Sequence, residues 1–114
     1  MIRYTSGKIA NSVKMVYKIL EENEWTNFFK EKKFSGTSLD LRDGYIHMSS
    51  TQAQMERIKE KYYKDKKALL LHIDLDKLIE TNKLKYEPSS NGEYYPHLYS
   101  DLLIDYVEKV VEME

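Results

Sequence analysis

The chain has 114 residues, 41% of them hydrophobic and 32% charged, with a formal net charge of -1 and no cysteine. This is the make-up of one globular domain with its own core, and it excludes disulfides, thiol catalysis and cysteine-based zinc sites. The near-neutral balance gives no bulk attraction to nucleic acid or to an anionic membrane, and the longest apolar run, Ala68 to Leu71, is far too short to span a bilayer.

The first acidic residue is Glu21, and Arg3, Lys8, Lys14 and Lys18 precede it. An acid-poor, basic, hydroxylated start occurs in organelle transit peptides. With so little charge here, residues 1–14 read as a short extension packed on a domain of residues 15–114, with a cytoplasmic home as the default. Residues 14–20 are rich in β-formers and predict a buried strand. In 22–33, Trp25, Phe28 and Phe29 recur at helical spacing with charges opposite, which predicts an amphipathic helix. Residues 34–44 read as a turn-rich connection in which Gly36 and Gly44 supply backbone angles that other residues resist.

A short strand is expected over 45–49 and a helix over 49–63, opened by a capping box of Ser49 with Gln52 or Thr51 with Gln54. The clearest core strand is 68–75, followed by one helical turn over 76–80, a strand over 83–89 and a turn at 90–93 carrying an Asn-Gly pair. After 94–99, residues 105–113 form a last strand. Strands outnumber helices without alternating with them. The expected class is therefore α+β: a single small domain with two main helices on one mixed or antiparallel sheet.

Side chains of a strand alternate between faces. Over 45–49, Ile46 and Met48 share one face and belong to the core, whereas Tyr45, His47 and Ser49 share the other and line a cleft or polar surface. Ser49 would stand where the strand enters a helix N-terminus, whose free N–H groups suit an anion such as phosphate. Pro96 pushes Tyr95 toward extended geometry, so Tyr95, His97 and Tyr99 can project together as an aromatic wall with polar groups. The plain alternative is that both histidines are hydrogen-bonded structural residues and the tyrosines ordinary packing. His72 reads as structural. A metal site built on His47 and His97 lacks any HExxH-type spacing, no G-x-S-x-G turn supports a serine hydrolase, and neither standard nucleotide-binding loop is present.

The stretch Leu39–Gln54 taken with Glu93–Tyr99 resembles the domain of unknown function 952 family. Tyr17–Ile19, Trp25, Phe34–Ser38, Asp43–Gln52, Leu69–Asp74, Leu84–Pro88 and Gly92–Tyr99 match its pattern and cover nearly the whole chain after residue 15. The resemblance implies an architecture similar to the ADP-ribosyltransferase superfamily, which includes NAD-using RNA 2'-phosphotransferases. By that analogy His47 and Ser49 would face an NAD phosphate or ribose, and Tyr95 or Tyr99 would stack on nicotinamide. Glu87 or Glu93 would be the acid that stabilises a departing ribosyl cation. Where many superfamily enzymes carry a first-strand histidine, this chain has Lys18, a flexible cation able to bind phosphate but without imidazole's two-sided hydrogen bonding. Ser100 replaces the glycine that often follows the histidine-leucine-tyrosine run.

Two readings stay open. In the first, a small ligand-binding domain takes NAD or another phosphorylated compound in a cleft lined by Lys18, His47, Ser49, His97 and Tyr99, with ADP-ribosyl or phosphoryl transfer as a further step. In the second, a non-enzymatic interaction or structural domain uses the same residues to hold its fold. RNA binding, suggested by the phosphotransferase likeness and ten tyrosines, is opposed by the near-neutral charge. The residues leave the substrate, the acceptor and the oligomeric state open.

Overall fold

The computed structural model of the chain describes residues 2–5 and 14–113. In chain order the elements are β1 (Ile2–Thr5), β2 (Met15–Glu21), α1 (Glu22–Glu31), β3 (Lys33–Phe34), α2 (Ser38–Asp43), β4 (Ile46–His47) and α3 (Gln52–Tyr62). They continue with β5 (Ala68–Asp74), α4 (Leu75–Glu80), β6 (Leu84–Pro88), β7 (Tyr94–Leu98), β8 (Leu102–Leu103), a 3-10 turn (Ile104–Tyr106) and β9 (Val107–Met113). Among the described residues every strand pairing is antiparallel, in sheets of order β1-β9-β5-β2, β3-β8 and β4-β7-β6. The α+β class holds. The single sheet with two main helices is corrected: the described residues form three sheets and four α-helices. Of the N-terminal extension, Ile2–Thr5 adds an edge strand against β9, and residues 6–13 lie outside the described residues.

Period-two alternation explains the core. On β2, Val16 and Leu20 turn to the main cluster, with Leu69, Leu71 and Ile73 of β5 and Val107 and Val110 of β9. Trp25 and Phe28 of α1 cover it, and Ile46, Met48 and Leu98 close it from the three-stranded sheet. The opposite face of β2 and β5 presents Ile19, Ala68 and Leu70 to Met55 of α3 in a smaller cluster. Each fully buried aliphatic side chain contributes about 1.5–3 kcal/mol relative to exposure. Lys18 lies between Val16 and Leu20 on the core-facing side and is itself buried. A lone ammonium there is costly, so a partner carboxylate is required.

Three local expectations change. Residues 34–44 are not merely turns: Thr37 caps α2, accepting from the Asp40 N–H at 3.2 Å, while the Asp40 carboxylate accepts from the Thr37 N–H at 2.9 Å. Six residues are too few to show a helical apolar stripe, and Leu41, the residue that suggests one, is exposed. Helix α1 stops at Glu31 because Lys32 turns left-handed (φ 65°) and Lys33–Phe34 pair with β8. Phe29 sits at the rim, leaving Trp25 and Phe28 as the buried stripe. Thr51, not Ser49, caps α3 by accepting from the Gln54 N–H, and the Gln54 side chain turns back to Ser50 instead of completing a box with Thr51.

Beyond β4, Tyr17 and Ser49 exchange backbone hydrogen bonds of 2.7 and 2.8 Å. This bridge joins the open edge of β2 to the three-stranded sheet. The cleft lies along that seam.

Candidate functional site

The cleft has a volume of about 690 Å³, within the range of small-molecule pockets. Strand β2, helix α2, the segment 45–49, helix α3 and the β6–β7 turn wall it. His47 and His97 both line it, because β4 and β7 pair with these two residues in direct register. Their ring centroids are 5.5 Å apart, at an interplanar angle of 67°. Tyr45 ties them together: it stacks on His97 at 4.0 Å and approaches His47 at 4.6 Å and Tyr99 at 5.2 Å. The alternation of 45–49 explains the arrangement, since Ile46 and Met48 turn into the core and leave Tyr45 and His47 on the cleft side.

Beneath His47 is an ionic cluster that the sequence did not reveal. Asp40 is 1% exposed. Its Oδ1 is 2.6 Å from His47 Nδ1 and accepts from the His47 N–H at 3.1 Å. Lys18 Nζ donates to Asp40 Oδ1 at 3.1 Å and to the His47 carbonyl at 2.7 Å, and lies 2.8 Å from Asp40 Oδ2. The ammonium of Lys18 is thus used inside the protein, where it neutralises Asp40. Burial alone would push the Asp40 carboxyl up, but the hydrogen bond to His47, the charge of Lys18 and the Thr37 N–H together hold it well below the usual carboxylate range. Burial pushes the Lys18 amine down, and Asp40 opposes this. Each ring nitrogen of His47 faces a carboxylate oxygen, Nδ1 that of Asp40 and Nε2 that of Asp43 at 3.1 Å, and since a carboxylate only accepts, each contact is a hydrogen bond through an N–H on that nitrogen.

The second cluster centres on Glu87. Its Oε1 is 2.9 Å from His97 Nδ1 and accepts from the Tyr99 hydroxyl at 2.6 Å. The bond to Tyr99, then that to His97, draws the Glu87 carboxyl below its ordinary value. The same bond pushes the Tyr99 hydroxyl up to about 12. Burial lowers His97, against the pull of Glu87. Among the described residues no buried side-chain nitrogen or oxygen lacks a hydrogen-bond partner.

Of the residues singled out from sequence, Lys18, His47, Ser49, Tyr95 and His97 line the cleft. Glu87 and Tyr99 join the cluster through His97, and Tyr99 lines a separate shallow hollow behind Tyr45. Glu93 stands apart, held by Arg57 and Gln54 of α3. Tyr95 is buried, with Asn91 donating to its hydroxyl at 3.4 Å. Ser49 is buried beside the bridge to Tyr17, two residues short of the α3 cap. His72 packs edge-on against Tyr17 at 5.1 Å, remote from His47 in role. The sequence reading missed Asp40 and Asp43. The spacing Thr37-x-x-Asp40 is itself a capping box and would have placed a helix there.

Acid should unfold this cluster in a defined order. A group whose folded pKa is depressed leaves the unfolded chain binding more protons as pH falls, so stability drops. For His97 the loss begins below the unfolded histidine value of about 6.5, and for Asp40 and Glu87 below about 4. We expect Tm to fall from pH 7 to pH 5, through His97 and through His72, whose imidazole pKa burial also lowers; His97→Gln should make that limb shallower, His97→Gln with His72→Gln should flatten it, and both should leave the steeper loss below pH 4. A wild-type Tm constant from pH 7 to 5 would contradict it.

A small α+β domain, with a ring-lined cleft at the seam of two antiparallel sheets, is the class that the fold and site define. The chain belongs to the family described as protein of unknown function (DUF952), whose model matches residues 19–110. It is similar to protein CC0527 from Caulobacter crescentus, whose crystal structure is 32% identical over 89% of this chain and 87% of that one, with a TM-score of 0.81. The solution NMR structure of CC0527 is 33% identical over 88% and 84%, with a TM-score of 0.75. No curated protein matches. Among the described residues no helix is long and apolar enough to cross a membrane, and no group of three or more His, Asp or Glu is placed to hold a metal ion.

Proposed function

We propose that the cleft binds a small phosphorylated ligand of the NAD type, with the ring cluster of Tyr45, His47 and His97 as its floor. The observation that carries this reading is the convergence of two imidazoles and a stacked tyrosine, from register-paired strands, on one cavity of about 690 Å³. Aromatic faces suit a nicotinamide or adenine ring. Hydroxyl and cationic groups from Ser38, Arg42, Lys61 and Ser90 around the walls suit ribose and phosphate. Transfer of an ADP-ribosyl or phosphoryl group is the further step that the ADP-ribosyltransferase resemblance implies, with Glu87, anchored by Tyr99, as its acid.

A non-enzymatic structural role is the second reading. One observation favours it: each histidine commits its Nδ1 to a carboxylate, His47 to Asp40 and His97 to Glu87. Thermal unfolding with NAD, ADP-ribose and ADP separates the two. A ligand at a hundredfold excess over its Kd adds about 2.7 kcal/mol, so a binder should raise Tm by more than about 5 °C. His97→Ala should abolish that rise. No shift with any of the three, together with a stability loss of about 1–3 kcal/mol in His97→Ala, would leave the structural role.

A further inference from the structure

Asp43 occupies an unusual position. It is the last residue of α2, where the helix carbonyls point and an acid is unfavourable, whereas a cation is favoured. Its carboxylate is nevertheless held on two sides. Arg42 Nε donates to Oδ1 at 2.9 Å and Nη2 to Oδ2 at 3.4 Å, while His47 Nε2 lies 3.1 Å from Oδ2. All three side chains line the cleft. Nδ1 of His47 is fixed by buried Asp40, so Nε2 is the nitrogen this ring offers to the cavity. A guanidinium fork and an imidazole nitrogen converging on one carboxylate form the geometry that receives a phosphoryl oxygen pair.

We infer that Arg42 and His47 form an anion subsite that the Asp43 carboxylate fills as an internal pseudo-ligand, so that a phosphorylated ligand enters by displacing Asp43. The inference rests on the binding reading above and adds where the phosphate sits and what opposes it. Displacement is cheap, because Asp43 and His47 are each 28% exposed and Arg42 is 70% exposed, so the ion pairs broken are largely solvated. Rotation of the Asp43 side chain toward solvent leaves Arg42 and His47 in place. Asp40 and Lys18 below cancel one another and give the subsite no net charge of their own. The native chain therefore binds phosphate more weakly than its cationic groups allow.

Isothermal titration with ADP-ribose and with inorganic pyrophosphate tests this, using wild type, Asp43→Asn, and Asp43→Asn combined with Arg42→Gln. Arg42 is exposed and leaves the core untouched, so the double variant keeps the fold. Asp43→Asn should bind both probes about tenfold more tightly than wild type, as removing one like charge at a half-exposed site predicts. Adding Arg42→Gln should reverse that gain. If wild type binds ADP-ribose and Asp43→Asn binds it no better, the plug is overturned and the cleft reading stands. A gain that survives Arg42→Gln overturns the subsite, since the double variant carries the wild-type net charge and the tighter binding would then not run through the Arg42 guanidinium. If no variant binds either probe, both inferences fall.

Discussion

Asp40→Asn should cost about 3–5 kcal/mol of folding free energy, read as a fall in the urea midpoint at pH 7 without a change in slope. The substitution keeps the shape of the side chain but removes the Asp40 charge, which lies 2.8 Å from the Lys18 ammonium, itself 7% exposed on the core face of β2. An amide also places an N–H₂ group among donors: the Lys18 ammonium, the His47 N–H and the Thr37 N–H all point at the carboxylate. Two further results follow from the same cause. With its counter-charge gone, buried Lys18 should titrate further below the ordinary lysine value of about 10.4. Between the folded and unfolded values the unfolded chain binds more protons, so stability of Asp40→Asn should rise with pH from 7 toward 10 more steeply than that of wild type. Lys18→Met combined with Asp40→Asn should be less damaging than the two single losses added together, since it removes both members of a buried pair. Additive losses, or an Asp40→Asn midpoint within error of wild type, would mean that the buried pair does not hold this seam together.

The same cluster shows what a sequence conveys and what it withholds. The cleft-side face of His47 was legible, because it sits on a short strand whose alternation gives its face, but its meeting with His97, 50 residues further on, comes from the register pairing of β4 with β7, which the sequence did not show. The core faces of β2 and β5 were legible for the same reason. Asp40 was not. It is one acid in a run that reads as turn, and its partners are 22 and 7 residues away, one on β2 and one on β4. A charge partner across such a separation is set by tertiary packing, which no local period encodes. Glu87 and Glu93 looked equivalent, two acids flanking one turn, yet they diverge. Glu87 lies on β6 beside the ring cluster, whereas Glu93 lies at the start of the returning strand, within reach of Arg57. Strand registers across the turn decided between them. Lys18 was legible as an oddity at a strand position, and its meaning changed with the structure: its donors turn inward, to Asp40 and the His47 carbonyl.

Gly36→Ala should be nearly as damaging, and through a different physical cause. Gly36 has φ 136°, a backbone conformation that an L side chain adopts only under strain of about 1–3 kcal/mol. A Cβ built there would lie 2.7 Å from Asp40 Cβ. That atom is the root of a side chain pinned by Lys18, His47 and Thr37, so it cannot swing aside as the far end of a flexible chain would. Strain and overpacking together should cost about 2–5 kcal/mol. Gly44→Ala supplies the control. Gly44 is also left-handed, at φ 88°, and closes α2, but nothing lies within 4 Å of its missing Cβ. It should lose only the backbone component, about 1–2 kcal/mol. The difference between the two variants isolates the pressure of position 36 on Asp40. Because Asp40 orients His47, Gly36→Ala should also shift the His47 ring resonances in an NMR spectrum, and Gly44→Ala should leave them closer to wild type. Equal losses in the two variants, with His47 undisturbed in both, would show that the turn before α2 does not set the carboxylate on which the histidine depends.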